Sequence, residues 1–304
     1  MPQNATLAPT TWGNHRLEWG KQTWVMGILN ITPDSFSQDG VALAQMSQAQ
    51  VVEAALAQAQ RMVADGASMI DVGGESTRPA TVEQPQLDPE IERARVIPVI
   101  TALARELPSH VLISVDTYKA SVAEAALDAG AHLINDIWGL RADARMGHLA
   151  ADRGAPVVLM SNLRGQTRRD SVSDVLRQLA GSVELALGAG IPWDHIILDP
   201  GFGFGLRAEE NLAVMARLGE LRSLGRPLLV GTSRKSYIGL TLGTEVNDRV
   251  EGTAATVALC IEKGADIVRV HDVREMARVA RMTDAVARGW RGYQQTSPAS
   301  GGAR

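Results

Sequence analysis

Short apolar runs alternate with stretches of helical periodicity along most of this chain. WVMGIL (24–29), SMIDV (68–72), VLISVD (111–116), AHLIND (131–136), PVVLM (156–160), HIILD (195–199), PLLVG (227–231) and DIVRVH (266–271) read as strands buried on both faces. Six of them close on, or just before, a polar residue: Asn30, Asp71, Asp116, Asn135, Asp199, and Arg269 with His271. A run that hides its stem and ends on a head group describes a strand opening into a pocket. Between strands, the clearest helix follows residue 47. Ser47 and Gln50 have capping-box spacing, Val52, Leu56, Ala59 and Val63 share a face, and Gly66 stands where the helix should stop. The joints DAGAH (128–132) and EKGAD (262–266) repeat that design, a glycine followed at once by a strand. Eight such strands with intervening helices predict a single-domain α/β fold, the (β/α)8 TIM barrel, with its active mouth at the carboxyl ends of the strands. No dinucleotide fingerprint follows the first strand, which disfavours an open doubly wound sheet.

Length agrees with one large domain: 304 residues and 32.5 kDa, 45 % of them apolar. The expected organisation is an N-terminal extension over 1–20, a barrel over 21–288 and a mobile tail over 289–304. Two long loops, 30–47 and 73–89, follow the first two strands and should project from the active face. A net charge of −4 and a pI near 5.9 give no general attraction to nucleic acid or membranes, so local basic residues must carry any anion binding. The lone cysteine, Cys260, lies in the apolar stretch TAATVALCI and excludes a disulfide framework. No apolar run reaches the ~18–20 residues of a membrane span, and the N-terminus lacks a signal-peptide pattern. A cytoplasmic protein is expected.

Asp116, Asn135 and Asp199 form a set of acceptors with one amide that both donates and accepts. That combination suits a flat heterocycle with a guanidine-like edge, such as the 2-amino-4-oxo ring of a pterin or a guanine. A second constellation is cationic: Arg269 and His271 on the last strand, with Ser233, Arg234 and Lys235 just after the seventh. Loops after the last two strands of a barrel are its usual phosphate corner, and a guanidinium offers a planar fork to phosphoryl oxygens. Arg234 should point away from its two neighbours. In the first loop, Phe36 is one of only three phenylalanines and stands among polar residues, where its ring could stack on a ligand. Asn30 offers an amide oxygen where phosphates are expected, and Mg2+ often bridges protein and substrate in such places.

The segments GILNITPDSFSQDG, IDVGGESTRPA, ISVDTYKASVAEAALDAGAHLINDI, ILDPGFGFG, LLVGTSRKSYIG and GADIVRVHDV, in this order over about residues 24–285, resemble the successive motifs of the dihydropteroate synthase family. The resemblance implies condensation of 6-hydroxymethyl-7,8-dihydropterin diphosphate with p-aminobenzoate to 7,8-dihydropteroate and pyrophosphate, as in folate biosynthesis. It implies Mg2+ as cofactor, a homodimer, and catalytic roles for Asp116, Asp199, Lys235 and Arg269. Asp116, Asn135 and Asp199 should hold the pterin edge, with Met160 and Phe204 as walls and Lys235 on the polar side of the ring. Arg269 should stack on the pterin and, with His271 and Asn30, hold the diphosphate and its metal. Thr77, Arg78 and Pro79 fall in the second loop; Thr77 and Pro79, with Phe36 and Ser233, should border the aminobenzoate. The chain departs from the family pattern at Ser161, where a His is common, and at Leu206, where a Lys is common. Two rival readings share the clamp: a methyltetrahydrofolate-binding methyltransferase barrel, which has no need of the SRK and RVH corner, and a catalytically silent pterin-binding paralogue.

Overall fold

Alternate residues of a strand face opposite ways, and in a closed barrel that parity decides what lies inside. The computed structural model describes residues 7–32, 46–76, 87–167 and 169–290. It begins with a short antiparallel hairpin, β1 (Thr10–Trp12) and β2 (His15–Leu17). Eight parallel strands follow: β3 (Trp24–Asn30), β4 (Met69–Gly73), β5 (Leu112–Asp116), β6 (Leu133–Asp136), β7 (Val157–Met160), β8 (Ile196–Asp199), β9 (Leu229–Val230) and β10 (Ile267–Val270). Neighbours pair in chain order from β3 to β8, β10 pairs with both β9 and β3, and a parallel bridge from Leu198 to Leu228 joins β8 to the start of β9. All eight expected strands form, and they close into a single-domain (β/α)8 barrel.

Outward residues such as Ile70, Val72, Ile113, Val115, Ile134, Val157 and Leu159 pack against the helices in one continuous core. Inward residues at the amino ends form a separate apolar plug: Met26, Met69, Leu112, Leu133, Val158, Ile197, Leu229 and Ile267, one from each strand. Leu17 and Trp19 join that plug from the N-terminal segment, and the Trp19 indole donates to Thr10 Oγ1 at 3.2 Å. Residues 10–19, polar and unassuming in the sequence, thus seal the floor of the barrel. Full burial of a side chain of this size stabilises by about 1.5–3 kcal/mol.

The helices explain how the strand ends are held. Helix α1 (Gln48–Ala64) starts with the expected reciprocal capping of Ser47 and Gln50 and stops before Gly66, whose φ is +111°. Its most buried residues are Ala55, Ala59 and Met62, while Val52, Leu56 and Val63 flank the core. Small alanines let the helix axis approach the strands, so the deepest stripe runs beside the larger apolar residues rather than along them. Then come α2 (Pro89–Glu106), α3 (Ala120–Asp128), α4 (Met146–Asp152), α5 (Ser171–Gly188) and α6 (Ala208–Ala216), followed by α7 (Ser236–Leu242), α8 (Val250–Glu262) and α9 (Val273–Ala287). Cys260 is fully buried in α8, where burial pushes its thiol up to about 12.

Candidate active site

Stepping two residues along each strand from the apolar plug changes the chemistry of the interior. Met69 gives way to Asp71, Leu133 to Asn135, Val158 to Met160, Ile197 to Asp199 and Ile267 to Arg269. Four residues along from the plug, Asn30, Asp116, Ser233 and His271 keep the same parity. The polar residues singled out by strand ending are therefore inward-facing by parity and converge on one mouth.

At its centre lies Arg269. Its Nε donates to Asp71 Oδ2 at 2.6 Å, and one terminal nitrogen donates to Asp116 Oδ2 at 2.7 Å. Asn135 donates from Nδ2 to the same Asp71 oxygen at 2.9 Å. Burial alone would lower the guanidinium's pKa, but Asp71 and then Asp116 overcome it and hold it above its ordinary value. Burial pushes Asp116 up to about 7, against the pull of Arg269 and with repulsion from Asp71 adding to the rise. Asp199 is pushed by burial to about 6, although the Gly201 amide donates to its Oδ1 at 2.7 Å. A ligand presenting N–H groups would draw both carboxyls back toward ionisation. Gly201 itself has no substitute: its φ is +75°, and a Cβ there would fall 1.8 Å from the Ser161 carbonyl oxygen.

Across the mouth, Lys235 is pushed down to about 8, first by burial and then by Arg269, while Asp199 pulls it back up. The Phe204 ring carries two cations, Lys235 Nζ and Arg164 Cζ, each 4.5 Å from its centroid. Phe204 and Met160 pack with Tyr118, Ile137 and Trp138 in a small apolar cluster beside the polar layer. Ser233 Oγ lies 3.0 Å from His271 Nδ1 and accepts from the His271 amide at 3.1 Å, joining the ends of the last two strands. The outer edge of His271 is exposed. Crowding at the mouth, then the charges of Arg269 and Arg234, push its imidazole down to about 3, so it is neutral. Arg234 turns away, as its parity requires: Nε donates to Asp272 Oδ2 at 3.0 Å. A Cβ built on Gly231 would meet nothing within 4 Å, which locates open space beside the register position of Arg269.

Asn135, Asp116, Asp199, Lys235, Arg269, Ser233, His271, Met160, Phe204 and Asn30 thus share the mouth. Phe36, Thr77, Arg78 and Pro79 lie outside the described residues. Ser161 follows inward-facing Met160 and so faces outward, donating from Oγ to Gln178 Oε1 on α5 at 2.7 Å. Leu206 packs partly buried against the helical core. Both departures from the family pattern lie behind the pocket wall. Sequence reasoning noted Asp71 as a strand-end acid but gave it no role, and it missed the buried charges at the root of loop 73–89. There Lys119 Nζ contacts Glu75 and Glu92, and the Tyr118 hydroxyl donates to Glu75 Oε2 at 3.1 Å. Glu75, Glu92 and Lys119 are scattered along the chain, so no local pattern announces their meeting.

A donor-seeking edge beside a cationic corner can bind a nitrogen-rich ring and stabilise an anionic leaving group. Comparisons with known proteins agree. The pterin binding enzyme family matches residues 26–271. Dihydropteroate synthase of Bacillus subtilis (strain 168) is 48 % identical over 270 residues, covering 89 % of this chain and 90 % of the relative. Among solved structures, dihydropteroate synthase from Clostridium difficile, determined in the presence of pteroic acid, superposes with a TM-score of 0.82 at 46 % identity. That match covers 90 % of this chain and 99 % of the other. The Xanthomonas albilineans enzyme in complex with 7,8-dihydropteroate gives 0.81 at 37 % identity, covering 92 % and 98 %.

Proposed function

From the premise that the chain belongs to the pterin binding enzyme family, we propose that it joins a dihydropterin to an aromatic amine in folate biosynthesis. It is a transferase, and its reaction is that of dihydropteroate synthase: 6-hydroxymethyl-7,8-dihydropterin diphosphate and p-aminobenzoate give 7,8-dihydropteroate and pyrophosphate. The observation that carries the reading is the meeting of Asp116, Asn135 and Asp199 with Lys235 and Arg269 around the open space at Gly231. A methyltetrahydrofolate-binding methyltransferase would leave the cationic corner without a purpose.

Each residue has a part in this proposal. Asp116, Asn135 and Asp199 accept from or bond to the pterin edge, while Met160 and Phe204 wall the ring. Lys235 holds the polar side of the bicycle. Arg269, backed by Asp116, faces the ring and the diphosphate. Neutral His271, fixed by Ser233, can donate one N–H to a phosphoryl oxygen. The bond from the pterin methylene to the bridging oxygen breaks, its electron pair leaving with pyrophosphate. The methylene cation is delocalised into the ring and favoured by the two carboxylates. The amine lone pair of aminobenzoate then forms the C–N bond, and the displaced amine proton passes to pyrophosphate or solvent. No strong general base is needed, because an aromatic amine is unprotonated at neutral pH. Phe36, Thr77 and Pro79, with Ser233, complete the proposal as the aminobenzoate border, and Arg78 is a further substrate-binding residue of the second loop.

Among the described residues no group of three or more His, Cys, Asp or Glu could cage a metal. One amide oxygen, on Asn30, stands at the mouth near Gly73. That donor set fits an ion such as Mg2+, which keeps most of its waters and is bound largely through substrate phosphates. When bound, the ion would neutralise charge on the departing pyrophosphate.

A homodimer is part of the proposal. Leu240, Leu242, Leu259, Met282 and Val286 on α7, α8 and α9 are exposed and apolar, which supports a second copy packing there. No described helix is long and apolar enough to cross a membrane, and we place the protein in the cytoplasm as part of the same reading.

The deciding experiment incubates both substrates with Mg2+ and follows pyrophosphate and dihydropteroate together. Equal release of the two, dependent on aminobenzoate, is expected. Binding of the pterin diphosphate with no turnover would instead identify a silent paralogue. Lys235→Ala should weaken pterin binding as well as turnover, and unaltered binding would remove Lys235 from the site.

A further inference from the structure

Asp71 is fully buried in the barrel interior and open to no ligand, yet it touches both halves of the site. Its Oδ2 accepts from Arg269 Nε at 2.6 Å and from Asn135 Nδ2 at 2.9 Å. In both bonds Asp71 is the acceptor. Asn135 therefore turns its NH2 group toward Asp71 and gives it one of its two N–H donors. Its amide oxygen then lies on the side away from Asp71 Oδ2. Arg269 is fixed by the same oxygen: with Nε on Asp71 and one terminal nitrogen on Asp116, its plane is set and its second terminal nitrogen remains for a ligand.

We infer that Asp71 is a positioning residue that sets the hydrogen-bond polarity of the ring pocket. It holds the Asn135 amide one way round, oxygen away from Asp71, so the pocket selects rings whose edge carries an N–H donor opposite that oxygen over rings whose edge carries a carbonyl at the same place. This rests on the pterin-binding reading above and adds what selects within that class. A buried amide with no partner rotates to suit whichever ring arrives. One locked by a carboxylate discriminates, because a mismatched ring leaves two acceptors facing each other without a proton. Asp71 does so without contacting the ring, by the one bond it takes from Asn135, while its bond to Arg269 holds it in place.

The test compares binding of pterin (2-amino-4-oxo) and lumazine (2,4-dioxo) by calorimetry in the wild type, Asp71→Ala and Asp71→Asn. Wild type should prefer pterin by at least about a hundredfold. Asp71→Ala frees the Asn135 amide, and the preference should fall at least about tenfold. Asp71→Asn keeps an oxygen at the Oδ2 position that can still accept from Asn135. It should restore most of the preference while still losing turnover, because the charge opposite Arg269 is gone. A folded Asp71→Ala protein with wild-type preference overturns the inference. Wild type without preference for pterin overturns the functional reading instead. A second measurement needs no variant: in the unaltered protein the Asn135 side-chain amide protons, followed by NMR, should exchange slowly with deuterated solvent and shift little when pterin binds. Free exchange of those protons sinks the inference whether or not Asp71→Ala folds.

Discussion

The same eight strands hold two opposite environments two residues apart. At their amino ends, Met69, Leu133 and Ile197 close the interior as an apolar plug sealed by Leu17 and Trp19. Two residues on, the same three strands contribute Asp71, Asn135 and Asp199. Parity and backbone are shared, so the contrast is one of side-chain chemistry alone. The floor stabilises the barrel by burial. The mouth costs stability: raising Asp199 from an ordinary 3.8 to about 6 corresponds to roughly 3 kcal/mol of preference for its neutral form. That cost is the physical sign of a surface prepared for a ligand.

The comparison can be broken from either end. The largest effect should come from filling the mouth. Gly231→Val places carbons in space that is open in the structure, and pterin affinity should fall by more than about a hundredfold (roughly 3 kcal/mol) with an unchanged melting temperature. Unchanged affinity by calorimetry would show that the ring binds elsewhere. The floor should respond the other way. Leu133→Ala should destabilise by about 3 kcal/mol in urea unfolding, while the folded fraction keeps its KM for pterin diphosphate. A large KM change would mean that the two layers are coupled.

Asp199→Asn sharpens the contrast because stability and function should move in opposite directions. The folded-state pKa is raised, so between about 4 and 6 the native protein holds more protons than the unfolded chain, and its stability falls as pH rises through that window. The variant escapes that loss. It should be more stable by about 2 kcal/mol at pH 7.5, less than the full cost because Lys235 loses a neighbouring charge, and nearly equal to wild type at pH 4. Lower stability at pH 7.5 would show that Asp199 holds the fold together. The smallest effect is on binding when pH is lowered only from 7.5 to 6. Asp116 and Asp199, at about 7 and 6 in the free protein, must be ionised to accept from the ring. Pterin affinity should therefore weaken by about tenfold per unit between pH 7 and 6, as Asp116 takes up a proton, and by up to about a hundredfold per unit below 6, where Asp199 does so too. Titration calorimetry at pH 5, 6 and 7.5 measures it, and a flat profile would argue against the acceptor role.

Much of this was readable in the linear chain. All eight strands, the Ser47–Gln50 cap and the glycine joints at 130 and 264 follow from local patterning, which reports period and turn chemistry directly. Strand parity also placed Asn135 inside and predicted Arg234 outside, where it meets Asp272. Asp136, next to Asn135, faces outward instead and accepts from the Trp138 and Leu140 amides, each at 2.8 Å. The hairpin at residues 10–17 was not readable, because its strands are too short to carry a period and Leu17 and Trp19 find their apolar partners only on the closed barrel.

The amino-acid order by itself determined the alternation of strand and helix, hence the barrel, and which side chains point into its mouth, because period and parity are local properties of a backbone. Only the closed fold decided what each acid does there. Asp71, Asp116 and Asp199 look alike as residues ending apolar runs. Arg269, 198 positions away from Asp71, donates directly to Asp71 and Asp116, whereas Asp199 accepts from the Gly201 amide instead. Charge interactions depend on distance through space and on burial, and neither exists until the barrel closes.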